Sequence, residues 1–215
     1  MLPRDRLDIL RKTAPWDAAA VAWVSQRVTR PGWVPVWSGE EQMSADEVRT
    51  AKAAAVLIPL INRPSGVTLL LTRRTAALRD HAGQISFPGG RVAPEDADPV
   101  QTALRETREE IGVGAGQVRI LGVMPDYFIP TGYRVVPVVG WLEPPVEVSP
   151  DPSEVAEVFE FPLAVAFDPG RHHMASAWRG GRLRRFYAMP WEGRDIWGAT
   201  AGMLVNLYHA LRDGD

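Results

Sequence analysis

The chain has 215 residues, 46% of them hydrophobic, and its 24 Lys+Arg against 26 Asp+Glu give a formal net charge of −2. This composition indicates one globular domain of catalytic size with additions, and its near-zero charge gives no electrostatic reason to expect a nucleic-acid or membrane-surface partner. The complete lack of cysteine excludes disulfides, thiolate metal sites and cysteine nucleophiles, so a metal site must use hard ligands such as carboxylates.

The first 50 residues are interpreted as an N-terminal helical extension, and residues 51–215 as the main domain. Within the extension, residues 4–11 form a short amphipathic segment and residues 16–28 are Ala-rich and helical in character, while Ser44 and Glu47 have the spacing of a capping box. Residues 1–12 lack the apolar stretch of a signal peptide. No segment reaches the ~18 apolar residues that a membrane span needs. We therefore expect a cytoplasmic protein without a membrane partner.

Strand candidates dominate the middle of the chain. Apolar runs at 53–61 and 67–72 predict a hairpin, and the short apolar segment 85–87 leads into Pro88-Gly89-Gly90, which we expect to be a break in regular structure. Two long helices join these strands without regular βαβ alternation, which predicts an α+β sandwich. The remaining predicted elements are strands at 118–123, 134–141 and 155–161, a second hairpin of 173–178 and 183–189, and a closing helix at 199–211.

The helix over residues 99–111 has the most complete set of boundary signals. Asp98 is placed as N-cap, Pro99 as the first helical residue, and Gly112 as the left-handed residue that ends the helix. At ~100° per residue, its apolar side chains fall on one stripe and three glutamates on another. The apolar positions are Val100, Ala103, Leu104 and Ile111, and the acidic ones are Glu106, Glu109 and Glu110.

Three carboxylates on the last turns of a helix oppose stability, because like charges repel and the helix dipole disfavours negative charge there. Mg²⁺ or Mn²⁺ would reverse that balance, because both ions bind clustered hard oxygens. The alternative is a solvated helix face on which Arg105 and Arg108 neutralise the glutamates.

The wider motif decides between these interpretations. Gly89-Gly90, a 14-residue spacer and the run Arg105-Glu106-Thr107-Arg108-Glu109-Glu110-Ile111-Gly112 resemble the Nudix box, the signature of Nudix hydrolases. Two positions depart from it: Thr107 replaces an aliphatic residue, and the spacer is one residue longer, so that the early acid is Glu95 or Asp96.

The resemblance implies a Nudix-type α/β/α sandwich with a mixed β-sheet and a catalytic loop-helix-loop. It also implies a Mg²⁺- or Mn²⁺-dependent diphosphatase whose catalytic residues are Glu106, Glu109 and Glu110. Glu106 and Glu110 would be the principal metal ligands, Glu109 a further ligand or the base, and the Gly89 carbonyl another metal contact. Arg105 would be structural.

A second motif narrows the resemblance to the coenzyme A pyrophosphatase branch of this family. It comprises residues 70–74, Arg79, Gly83 and Phe87-Pro88-Gly89-Gly90. This resemblance implies coenzyme A or an acyl derivative as substrate, cut to 3′,5′-ADP and 4′-phosphopantetheine, with Arg74 and Arg79 as substrate-binding residues. The alternatives are a nucleotide sugar or dinucleotide as substrate, or a non-catalytic nucleotide-binding module.

Two questions stay open at the level of sequence. The base that accepts the water proton is Glu109, Glu154 or Glu157. The arginines of the second hairpin either receive the 3′-phosphate of coenzyme A, bind RNA, or form a charged edge that blocks strand pairing. These arginines are Arg171, Arg179, Arg182, Arg184 and Arg185.

Overall fold

The computed structural model describes residues 15–39, 42–77 and 81–212. The predicted segment 4–11 lies outside these residues. The helices are α1 (Ala18–Val28), α2 (Ala45–Arg49), α3 (Pro99–Ile111), α4 (Leu163–Ala166) and α5 (Ala199–Arg212), with 3₁₀ turns at Ala115–Gln117 and Pro169–Arg171. The strands are β1 (Lys52–Arg63), β2 (Gly66–Arg74), β3 (Ile85–Ser86), β4 (Gly89–Arg91), β5 (Arg119–Val123), β6 (Tyr127–Ile129), β7 (Tyr133–Leu142), β8 (Val155–Pro162), β9 (His173–Arg179), β10 (Arg182–Trp191) and β11 (Arg194–Trp197).

The main sheet is mixed and has eight strands. Its central path is β3-β2-β1-β7-β5, with β4 paired to β1, β6 to β7 and β8 to β2. Strands β1 and β7 run parallel over ten residue pairs, whereas β1 and β2 form the predicted antiparallel hairpin. A second sheet of three strands has the order β11-β10-β9.

Both faces of the main sheet are covered, because β1 is apolar on both sides. Leu57 belongs to the core under α3, and Ile58 belongs to the core under α1 and α5; both side chains are fully buried. A strand that is buried on both faces requires a layer on each side. The predicted α+β sandwich is therefore confirmed.

Helix α3 has the predicted bounds. The Asp98 side chain accepts a hydrogen bond from the Gln101 amide, Pro99 is the first residue, and Gly112 ends the helix with φ 76°. Ala103 and Ile111 are fully buried. Thr107, which replaces an aliphatic residue of the motif, is buried as well, and its hydroxyl donates to the Ala103 carbonyl at 2.6 Å. The threonine therefore fits an apolar position without leaving a buried polar group unbonded.

The described part of the first 50 residues packs against the main sheet. The Trp16 ring stacks on Trp141 at 5.4 Å, the Ser25 hydroxyl donates to the Leu121 carbonyl, and Val24 is fully buried. The predicted capping box of Ser44 and Glu47 opens α2. The boundary at residue 50 stays a prediction.

Four strands were missing from the sequence interpretation: β3, β4, β6 and β11. For β4 the expectation was wrong, because Gly89 and Gly90 pair with Val56 and Ala55 of β1 instead of interrupting the structure. In the sequence the two glycines suggested a turn. In the structure they allow the β4 backbone to approach the β1 backbone and the Glu106 side chain closely. Among the described residues, no helix is long and apolar enough to cross a membrane.

Candidate active site

Two carboxylates on α3 face the short strand β4. The Glu110 side chain is 5% exposed, and one of its oxygens accepts a hydrogen bond from the Gly89 amide at 3.2 Å. The Glu106 side chain is 19% exposed. These residues are one helical turn apart, so both carboxylates lie on the same side of α3.

The two glycines of β4 allow close approaches on different sides: Gly90 makes room for the Glu106 carboxylate, and Gly89 lets β4 lie close to β1. A Cβ atom on Gly90 would lie 2.4 Å from the Glu106 carboxylate carbon, and one on Gly89 would lie 2.4 Å from the Ala55 carbonyl oxygen. Pro88 and Val92 bond to β1 through their backbones. Because antiparallel ladders alternate, the backbone groups of Gly89 point away from β1 and toward the glutamates. The Gly89 carbonyl therefore points away from β1 as well, and its role as a metal contact stays a prediction.

Both carboxyl groups resist ionisation. Burial raises the pKa of Glu110 to about 7, against the opposing effects of the Arg74 charge and the Gly89 amide. Burial also raises the pKa of Glu106, although the Arg105 guanidinium opposes the shift. The negative charge of Glu154 adds to the rise at both glutamates. The site therefore concentrates negative charge that the protein itself compensates only in part.

This burial predicts that the metal-free protein loses stability as pH rises. The folded pKa of Glu110, about 7, lies above its ordinary value of 4.5, so between these pH values the folded state holds a proton that the unfolded chain has lost. The free energy of unfolding should fall by up to about 3 kcal/mol between pH ~5 and ~8. Urea titrations in EDTA across this range measure the slope. Glu110→Gln should flatten it, and an equal slope in both proteins would contradict the assignment.

Glu109 is separated from the other two glutamates. Its side chain is 59% exposed, and it forms an ion pair with Arg105 at 2.9 Å. Among the described residues, no three acidic, histidine or cysteine side chains are grouped to hold a metal ion. The sequence placed three carboxylates on one face, whereas the structure turns Glu109 to solvent. Its role as a ligand or as the base stays a prediction.

Arg105 has the structural position that the motif implies. Its guanidinium forms ion pairs with Asp96, Glu106 and Glu109 and donates to the Arg91 carbonyl. The hydrogen bonds from Arg105 hold the pKa of Asp96 well below its usual range. This network ties the loop after β4 to the side of α3 and fixes the Glu106 carboxylate.

The early acid of the motif is Asp96 rather than Glu95. Asp96 also accepts hydrogen bonds from the Ala93 amide and the Thr102 hydroxyl, whereas Glu95 lies exposed in a turn. The longer spacer is therefore accommodated by a shorter acid that still reaches Arg105. Sequence spacing alone left two candidates because both precede the helix by a few residues.

The predicted substrate-binding arginines have different outcomes. Arg74 lies beside the carboxylate pair, with its guanidinium 3.4 Å from Glu110. The pairing register of β2 with β8 shifts between Arg73 and Arg74. The Arg73 side chain forms an ion pair with Glu157 and not with Glu110. Arg79 lies outside the described residues.

The structure distinguishes the base candidates outside α3. Glu157 forms ion pairs with Arg73 at 2.8 Å and Arg194 at 2.6 Å, and the Arg194 guanidinium lies over the Phe159 ring. Glu154 follows the turn at Asp151, and its negative charge helps to raise the pKa of Glu106 and of Glu110. Glu154 and Glu157 are close together in the sequence, so the sequence did not reveal that only Glu157 is held by two arginines.

The donor set fits a hard divalent cation. It consists of the Glu106 and Glu110 carboxylates and the Gly89 carbonyl, all oxygen, in a place where burial makes uncompensated charge unfavourable. Mg²⁺ usually keeps several water ligands, so two carboxylates and one carbonyl are enough protein ligands for its coordination shell.

Comparisons with known proteins show the family of the chain. The NUDIX domain model matches residues 51–180. The chain is also 42% identical over 161 residues to NudL of Escherichia coli K12, described as an uncharacterized Nudix hydrolase, and the alignment covers 75% of this chain and 83% of NudL. The chain belongs to the Nudix hydrolase family. It is therefore a hydrolase acting on pyrophosphate bonds of nucleotide derivatives, in a family that generally uses divalent cations.

Solved Nudix structures are similar over about half of the chain. A Caenorhabditis elegans Ap4A hydrolase in a binary complex has 25% identity and a TM-score of 0.45, over 51% of this chain and 80% of that one. The Nudix hydrolase RenU of M. smegmatis has 23% identity and a TM-score of 0.46, over 53% and 71% of the two chains.

Proposed function

We propose that this Nudix hydrolase cleaves the diphosphate of coenzyme A or an acyl derivative, with Mg²⁺ or Mn²⁺, to 3′,5′-ADP and 4′-phosphopantetheine. The buried Glu110, bonded to the Gly89 amide, and the partly buried Glu106 beside it support the diphosphatase chemistry. The motif formed by residues 70–74, Gly83 and 87–90 supports the substrate, because it resembles that of the coenzyme A pyrophosphatase branch.

The residues of this chain divide the work of diphosphate hydrolysis. Glu106, Glu110 and the Gly89 carbonyl would hold the cation, which would supply positive charge to the nonbridging oxygens and lower the pKa of an attacking water. Arg105 fixes Glu106 through an ion pair at 2.8 Å. Glu154 or Glu109 accepts the proton of the water. Glu157 is less suitable because two guanidiniums already neutralise it.

Arg74 is proposed as the first phosphate contact of the substrate. Its guanidinium is next to Glu110 at 3.4 Å, so a diphosphate bound at the carboxylate pair comes within its reach. An arginine binds two phosphate oxygens at once, which fixes the orientation of the diphosphate as well as its charge. The proposal for Arg79 rests on the branch motif alone.

A substrate panel tests the proposal. The purified chain is incubated with Mg²⁺ or Mn²⁺ and coenzyme A, acetyl-coenzyme A, ADP-ribose, a nucleotide sugar or a dinucleoside polyphosphate, and products are identified by mass spectrometry. We expect kcat/KM for a coenzyme A compound to exceed the others by at least ~10-fold. Faster turnover of a nucleotide sugar or dinucleotide would overturn the substrate assignment. Binding without cleavage at any metal or pH would favour the non-catalytic alternative.

A further inference from the structure

β9 has one edge that no other strand of the described residues pairs with. β9 is the last strand of the second sheet, and within residues 15–39, 42–77 and 81–212 no strand pairs with its far side. Open edges expose a row of unpaired backbone N–H and C=O groups, which can bind another strand. The edge of β10 opposite β9 is different, because the Gln42 side chain accepts from the Arg185 amide and donates to its carbonyl.

The backbone groups that point outward from β9 follow from the register. Arg185 is opposite Ser176, and its own N–H and C=O bond to Gln42, on the side away from β9. Arg185 and Ser176 therefore form a non-hydrogen-bonded pair, so the backbone groups of Ser176 point to the open edge. The same alternation turns the groups of Met174 and Trp178 outward.

The side chains of these three residues share one face of the sheet, because they alternate along the strand. Trp178 is 74% exposed and Met174 47%, and Leu183, which is directly opposite Trp178 on β10, is 51% exposed. Three large apolar side chains are thus exposed together beside an unpaired strand edge, an arrangement typical of an association surface.

The strand is self-complementary about Ser176. In an antiparallel pair of two β9 strands centred on this residue, Met174 of each copy lies opposite Trp178 of the other, and Ala175 lies opposite Ala177 on the other face. Ser176 meets its own symmetry mate through the outward backbone groups. We propose that two copies of this chain associate through antiparallel β9 strands, about a two-fold axis at Ser176, to form one continuous six-stranded sheet.

Three of the hairpin arginines, which the sequence allowed as a charged edge that blocks strand pairing, have partners within the chain. The Arg182 guanidinium forms an ion pair with Glu47, and Arg184 donates to the Gln42 carbonyl, so both are held by the segment at the opposite edge. Arg179 lies over the Trp197 ring at the end of β9. In the paired strands it lies opposite His173 of the second copy, at the solvent-exposed ends of the contact.

The size of the contact predicts a weak dimer. Seven strand residues per copy, of which Met174 and Trp178 have large apolar side chains, form a contact no larger than the low end of specific interfaces, about 1,200 Å² in total. We therefore expect a dissociation constant in the micromolar range, with monomer and dimer both populated over ordinary protein concentrations.

Sedimentation velocity of the full chain from 1 to 200 µM (roughly the range over which such interfaces associate) tests the proposal. The wild type should shift from monomer toward dimer as concentration rises. Ser176→Pro removes an outward N–H and no bond to β10, and Trp178→Lys places charge in the apolar face; both should stay monomeric. Val34→Lys, a matched change at a residue that is 76% exposed elsewhere, should associate like the wild type. A wild type that stays monomeric, or a Ser176→Pro variant that still dimerises, would overturn the proposal.

Site-specific crosslinking locates the contact independently of these variants. Because the chain has no cysteine, Ser176→Cys introduces a single thiol that lies next to its symmetry mate in the proposed dimer. A short bismaleimide should crosslink this variant as a covalent dimer, whereas Val34→Cys should give no crosslinked dimer. Equal crosslinking of both variants would contradict a contact centred on β9.

Discussion

Replacing Glu110 by glutamine is expected to lower kcat at least ~100-fold while the chain remains folded. Glu110 provides a buried carboxylate beside Gly89, and the neutral amide cannot compensate a cation there. Glu106→Gln should have an effect of the same order, because Glu106 completes the pair.

Removing a desolvated charge should also raise the melting temperature of metal-free Glu110→Gln at pH ~8, as expected from the raised pKa of Glu110.

A matched control separates this effect from a general loss of negative charge. Glu95→Gln neutralises an exposed acid in the turn before α3 and should keep near-normal turnover. Steady-state kinetics at saturating Mg²⁺, with circular dichroism of each variant, provide the comparison. Near-normal kcat in both Glu106→Gln and Glu110→Gln would show that the metal is held elsewhere.

The same assay applied to Glu109→Gln, Glu154→Gln and Glu157→Gln identifies the base. The base variant should lose turnover more than its two counterparts and should also lose the acidic limb of its pH–rate profile. The ion pairs of Glu157 with Arg73 and Arg194 predict that Glu157→Gln acts on stability rather than on kcat.

Gly89→Ala should lower the stability of the fold, whereas Gly90→Ala should lower activity. A Cβ on Gly89 would lie 2.4 Å from the Ala55 carbonyl oxygen and 2.6 Å from the Val56 Cα, both backbone atoms of β1. Because these backbone atoms cannot shift without distorting β1, we expect the free energy of unfolding to fall by about 3 kcal/mol or more. A Cβ on Gly90 would meet the Glu106 carboxylate, the mobile end of a side chain. That variant should keep its fold and lose activity ~10- to 100-fold, because the carboxylate is displaced.

Gly116→Ala is the control for these two variants, since a Cβ at Gly116 would meet nothing within 4 Å. Urea titrations measure stability and steady-state kinetics measure activity. If Gly89→Ala were as stable as Gly116→Ala, the close approach of β4 to β1 would be wrong. If Gly90→Ala retained full activity, the role of Glu106 as a ligand would be contradicted.

The sequence predicted those parts of the fold that local chemistry specifies. Asp98, Pro99 and Gly112 bound α3 because capping and left-handed backbone geometry depend on the residues themselves. The β1–β2 hairpin and α5 follow from apolar runs of sufficient length. Strands β3, β4, β6 and β11, of two to four residues each, were not predicted because their pairing depends on distant partners.

The site was predictable as a set of residue types but not as an arrangement. A helical wheel placed Glu106, Glu109 and Glu110 together, yet it cannot show that β4 covers Glu110 and leaves Glu109 in solvent beside Arg105. The choice of Asp96 over Glu95 likewise depends on where the loop returns to α3. These differences arise from tertiary packing, which helical periodicity does not encode.

The metal site is tested most directly by an anomalous difference map from crystals soaked in Mn²⁺. We expect one strong peak between the Glu106 and Glu110 carboxylates, within coordination distance of the Gly89 carbonyl oxygen. A map without a peak there, in crystals that also contain a nonhydrolysable substrate analogue, would contradict this expectation.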